Sequence, residues 1–139
     1  MSVPDGLATG ARATLRVAVT EADTAQAAGS GDVPVLATPR LLALAEAACV
    51  AAIATRMTPS LTSVGIAARL EHRQASPVGA ELDIEAELTE IDGVRLVFVF
   101  IARPADGADQ VIGAGTLERV VVDRERFLAR AEGARHRLD

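Results

Sequence analysis

Thr38-Pro39-Arg40-Leu41-Leu42-Ala43-Leu44-Ala45-Glu46-Ala47-Ala48-Cys49-Val50-Ala51-Ala52-Ile53-Ala54-Thr55 is the stretch that decides the fold. Thr38 suits an N-cap, because its hydroxyl can accept a bond from an orphan first-turn amide. Pro39 suits the first helical position, where no amide hydrogen is needed. The body is Ala and Leu, strong helix formers. From Leu41 to Thr55 the only charge is Glu46. A helix apolar on every side is a buried helix. A carboxylate inside it must be paired, protonated or functional, since burying an unpaired charge is very costly. Glu46 is therefore the first candidate for chemistry.

Outward from this helix, the chain alternates with period two. Leu15, Val17 and Val19 share one face of a strand over Arg12–Thr20. After a loop at Gly29–Asp32, the helix, and a turn through Pro59, a second strand covers Thr62–Gln74. Its parity predicts Val64, Ile66, Ala68, Leu70 and His72 on the core face. His72 would then end an apolar row facing the helix. Leu82, Ile84, Ala86 and Leu88 repeat the pattern in Ala80–Glu90. Asp92-Gly93 is a hairpin signal. Val94–Ala102 is apolar at nearly every position, and Val111–Asp123 forms the last strand. Arg124–Ala134 reads as a short polar helix. This order predicts an α+β fold: a long central apolar helix wrapped by a curved antiparallel sheet of about five strands. Residues 1–11 read as a flexible N-terminal segment, 12–131 as the domain and 132–139 as a polar C-terminal tail.

The 139 residues make one domain of ordinary size. With three Phe and no Trp or Tyr, the core must be packed by Ala, Val, Leu and Ile. All 14 basic residues are Arg, and the net charge of −5 argues against a nucleic-acid partner. The central stretch is read as too short, and too marked by Glu46, for a membrane span. A single cysteine, Cys49, forbids an internal disulfide and fits a reducing, cytoplasmic setting. The N-terminus shows no signal peptide. No G-x-S-x-G elbow occurs, and two distant histidines make no zinc site. Neither a metal nor a separate cofactor is expected.

Several motifs carry a family likeness: Leu36-Ala37-Thr38, Glu46-Ala47-Ala48-Cys49, Ser63-Val64-Gly65, the strand ending at His72, and Gly113-Ala114-Gly115-Thr116-Leu117-Glu118-Arg119. In these the chain resembles the fluoroacetyl-CoA-specific thioesterase family of the hotdog fold, over about Arg12 to Arg130. The resemblance implies Thr38, Glu46 and His72 as catalytic residues and Gly65 as a substrate contact. It also implies a CoA ester as substrate, for whose phosphates Arg40, Arg69, Arg73 and Arg119 are candidates. Two departures stand out. Gly29 to Leu36 lacks the aromatic gate of the fluoroacetyl-specific enzyme, and Leu117 stands where relatives often carry His.

Thr38 and Glu46 lie eight residues apart, about 12 Å along a helix and rotated about 80°. A complete site is therefore expected to draw on both subunits of a homodimer, or of a higher oligomer. The leading reading is hydrolysis of a small or medium acyl-CoA, with Glu46 as base or nucleophile and His72 and Thr38 assisting. A non-catalytic acyl-CoA binding or sensing module and a hotdog enoyl-CoA hydratase are the alternatives.

Overall fold

A computed structural model describes residues 1–138, with side chains through residue 135. Its elements are β1 (Arg12–Ala18), the short α1 (Ala25–Ala28), α2 (Thr38–Ile53), β2 (Leu61–His72), β3 (Glu81–Asp92), β4 (Arg95–Pro104), β5 (Gly113–Asp123) and α3 (Arg124–Leu138). The five strands form one antiparallel sheet in the order β1-β3-β4-β5-β2. Strands β3, β4 and β5 make a meander, joined first by the Asp92-Gly93 turn. Strand β2 does not pair with β3, its successor. It pairs with β5 and forms one edge of the sheet, with β1 at the other.

Alternation along β3 and β4 builds the core. Leu82, Ile84, Ala86 and Leu88 are buried, as are Leu96, Phe98, Phe100 and Ala102. The helix α2 lies across this apolar face, mainly over β1 and β3, and closes it with Leu41, Leu44, Ala45, Ala48, Cys49, Ala52 and Ile53. By length and composition Thr38–Arg56 would suffice to cross a membrane; here one side of it packs on the sheet.

Four expectations change. Ala37, not Thr38, is the N-cap, so Thr38 and Pro39 open the helix and the Thr38 hydroxyl is free for another partner. The helix is not buried all round: Ala43, Ala47 and Val50 are exposed along one side. The N-terminal segment is anchored, with Leu7 buried in the core and the Gly10 amide donating to the Leu88 carbonyl at 2.8 Å. Residues 132–138, read as a tail, continue α3.

A fifth difference has the largest consequence. The β2–β5 register slips between Gly65 and Ala67. A bulge adds one residue and reverses the parity beyond it. Before the slip, Leu61, Ser63 and Gly65 face the helix side; beyond it, Leu70 and His72 do. Val64 and Ile66 therefore do not line the core, and Ile66 is 53% exposed.

Candidate active site

Two clusters of polar side chains sit on the helix side of β2, one toward each end. At the C-terminal end, the Thr38 hydroxyl and His72 Nδ1 are 2.8 Å apart. Thr38 is placed by the first turn of α2, and His72 by the last residue of β2. His72 Nε2 is buried and has no hydrogen-bond partner among the described residues. Burial pushes the imidazole below its ordinary value, against a smaller opposing effect of the Gln74 backbone. At neutral pH the ring is therefore neutral and carries one N–H. A cleft of about 350 Å³ opens beside the pair, lined by Val33, Val35, Leu36 and Gln74.

The second cluster holds Glu46. Its Oε2 accepts from Arg119 Nη1 at 3.0 Å. Arg119 Nε donates to Ser63 Oγ at 2.9 Å, and Nη2 donates to the Ser63 carbonyl at 2.8 Å. The Arg119 side chain is only 9% exposed, whereas Glu46 retains 38%. The carboxylate thus presents itself to solvent while its counter-ion stays buried behind it. Gly65 completes the arrangement. A Cβ there would lie 2.6 Å from Glu46 Oε2, so only a glycine leaves the carboxylate its place against the strand.

These contacts put the candidate residues into two separate pairs within the chain. Glu46 is held by Arg119, and His72 by Thr38; no bond joins Glu46 to His72. Gly65 and His72 lie about 20 Å apart at roughly 3.3 Å per strand residue. One chain therefore carries two separate halves of the expected catalytic set.

The arginines divide as well. Arg119 is buried and turned inward, so it cannot reach the phosphates of a nucleotide. Arg40 is exposed and paired with Asp23 at 2.7 Å. Arg69 and Arg73 line a cleft of about 350 Å³ with Val99 and Thr116, on the face of the sheet away from α2; Arg73 also pairs with Glu71 at 3.1 Å. Ser63 was not singled out for a role by sequence reasoning, although it lies in a quoted motif. Its use as the rest for Arg119 depends on the β2–β5 pairing, which no local spacing reveals. Cys49, three residues from Glu46, is fully buried, and desolvation pushes its thiol up to about 12. It is a packing residue, not a nucleophile. Leu117, in the place where relatives often carry His, is buried in the core.

Comparison with known proteins agrees with this fold. The family model for the fluoroacetyl-CoA-specific thioesterase matches residues 19–125. The fluoroacetyl-CoA thioesterase of Streptantibioticus cattleyicolor is 40% identical over 96 residues, 69% of this chain and 67% of that protein. A solved fluoroacetyl-CoA thioesterase, 32% identical, superposes with a TM-score of 0.84, covering 93% of this chain and 98% of its own. A thioesterase superfamily member from Thermus thermophilus superposes at 0.87 over 96% and 97% of the two chains; at 21% identity it shows the fold alone. A helix laid on a five-stranded antiparallel sheet, with a carboxylate and a Thr–His pair beside its edge strand, defines a hotdog-fold thioesterase. Within that class, the chain belongs to the fluoroacetyl-CoA-specific thioesterase family.

Proposed function

We propose that this protein hydrolyses a small or medium acyl-CoA as a homodimer, each active site being assembled from both subunits. The observation that carries this reading is the placement of two incomplete half-sites along β2, an edge strand of the sheet. An edge strand offers unpaired amides and carbonyls to another chain. Residues 65–69 of β2 are exposed, Ile66 among them. Antiparallel pairing of two copies about an axis at the middle of that run would bring His72 of one copy opposite residues 62–65 of the other. The Thr38–His72 pair would then meet the Glu46 half-site across the seam. The exposed Ala43, Ala47 and Val50 of α2 are available to be covered by the same association.

At such a composite site the chemistry follows from charge and position. Ionised Glu46 takes a proton from water, whose oxygen attacks the thioester carbonyl; direct attack by the carboxylate to give an anhydride is the alternative. The developing oxyanion is met by amides at the start of α2 or by the Gly65 amide. The carbon–sulfur bond then breaks; the leaving thiolate accepts a hydrogen bond from the His72 N–H and takes the proton that Glu46 removed from water, which restores the carboxylate. Thr38 fixes the imidazole. Arg69 and Arg73, exposed on β2 and just beyond it, and Arg40 supply positive charge for CoA phosphates. The lack of an aromatic residue in Gly29–Leu36 speaks against selectivity for fluoroacetate.

Subunit complementation tests this reading. Glu46→Ala and His72→Ala variants should each be inactive in thiol release from acyl-CoA. Unfolded together and refolded as a mixture, they should regain about a quarter of native activity, because half the dimers are mixed and each has one intact site. No recovery in a mixture that forms dimers would place the site within one chain and overturn the shared-site assignment.

A further inference from the structure

A second cavity adjoins the Glu46 half-site and has no part in the chemistry just described. It holds about 330 Å³ and is walled by Val50, Ile53, Ala54, Met57, Leu61 and Ser63. Two links tie it to the carboxylate. Val50 lies four residues after Glu46, one turn farther along the same side of α2. Ser63 forms its other lip and is the residue on which Arg119, the counter-ion of Glu46, rests. The cavity therefore runs from the carboxylate toward the C-terminal end of α2, between the helix and the start of β2.

Its apolar wall is aliphatic and thioether, with Thr58, Thr62, Ser63 and Arg124 as its polar members. Its far end is bounded. Arg124 donates to the carbonyls of Pro59 at 3.1 Å and Leu61 at 3.4 Å, tying the 58–61 turn across that end. A cavity of about 330 Å³ has room for about ten groups of methylene size, taking the roughly 30 Å³ of a liquid water as the unit. We propose that this cavity receives the hydrocarbon tail of the acyl group, making the protein selective for unbranched, medium-chain acyl thioesters of about six to ten carbons. This assignment rests on the thioesterase reading above. It places the carbonyl at Glu46 and Gly65, with the tail passing Ser63 and Val50 into the cavity. The CoA portion leaves toward the Thr38–His72 cleft that the second subunit contributes.

Two measurements on the 139-residue protein test it. Hydrolysis is followed by thiol release from straight-chain acyl-CoAs of two to sixteen carbons, for the native protein and for Ala54→Phe. Ala54 is exposed on the cavity wall and touches neither half-site. Binding of non-hydrolysable S-alkyl-CoA thioethers of the same lengths is measured by calorimetry. Native affinity should rise about fourfold per added methylene until the cavity is full, then level off. Ala54→Phe should move the optimum to about four carbons or fewer, leaving acetyl-CoA turnover unchanged.

Equal loss at every chain length in Ala54→Phe would assign the cavity to pantetheine and overturn the proposal. A preference for acetyl-CoA, or alkyl-CoA binding independent of length, would do the same. Length-dependent binding without thiol release from any ester would leave the tail site standing and remove the hydrolase reading.

Discussion

Gly65→Ala is the sharpest test of the proposed role of the Glu46 carboxylate. A Cβ at residue 65 would stand 2.6 Å from Glu46 Oε2 and 3.5 Å from Arg119 Nη1. Ordinary contact needs roughly 3.5 Å, so the carboxylate must retreat by about 0.9 Å. It can do so, because the clashing atom is the end of a flexible side chain with 38% exposure. The fold should therefore survive. The stability change should stay within about 1 kcal/mol, a shift of under about 5 °C in Tm, partly offset by the lower chain entropy of Ala in the unfolded state. Activity should not survive so well. Misplacing a reacting group by about 1 Å can cost roughly 100-fold. Thiol release from acyl-CoA should fall by about that factor in kcat, with KM little changed. Gly115→Ala is the contrast: its Cβ would meet the Arg69 carbonyl oxygen in the backbone of β2 at 2.0 Å. No side-chain adjustment relieves that clash, so Gly115→Ala should lose the fold itself. A Gly65→Ala protein with native Tm and kcat within about threefold of native would refute the placement of Glu46 at the reacting carbon.

Two further outcomes follow from the same contacts. Arg119→Ala removes a buried side chain holding Ser63 and Glu46, and should lower stability by about 1–3 kcal/mol in denaturant titration; Arg119→Lys should recover part of the activity through Glu46 but not the paired bonds to Ser63. The depressed His72 value makes stability pH-dependent in a defined direction. The folded protein resists protonating His72, whereas the unfolded chain takes up the proton near 6.5, so stability is full above about pH 6.5 and declines as pH falls below it. Tm measured against pH for native and His72→Gln proteins should show that decline in the first and a shallower one in the second.

The helix and the strand alternation were legible in the sequence because each rests on local periodicity. Glu46 stood out as a charge in an apolar helix, and Thr38 and His72 came from family spacing. What escaped was everything decided by a non-local pairing. Whether β2 lies beside β3 or β5 depends on which edge of the meander is free, and period-two alternation is the same in both. The bulge between Gly65 and Ala67 leaves no signature that parity can use, since Gly65 also fits an unbroken strand. Hence Val64 and Ile66 were read as core, and Arg119 as a phosphate ligand. Arg119 becomes the partner of Glu46 only because it is paired with Gly65 across the β2–β5 ladder.

That one slip in register also explains how the site can be built. In an unbroken strand Gly65 and His72, seven residues apart, would point to opposite faces. One of the two half-sites would then lie on the outer face of the sheet, where α2 could contribute nothing to it. With the bulge, both ends of β2 face the helix, and the helix supplies a residue to each: Thr38 to His72, and Glu46 to the Gly65 position. Yet the same geometry keeps the halves about 20 Å apart within a chain. An edge strand bearing two complementary half-sites on one face is self-complementary under a two-fold axis, the symmetry of an isologous dimer. The bulge is thus a condition for the proposed shared site. Deleting Ile66, the residue at the slip, should restore unbroken parity, turn one half-site outward and abolish activity, even if two copies still associate.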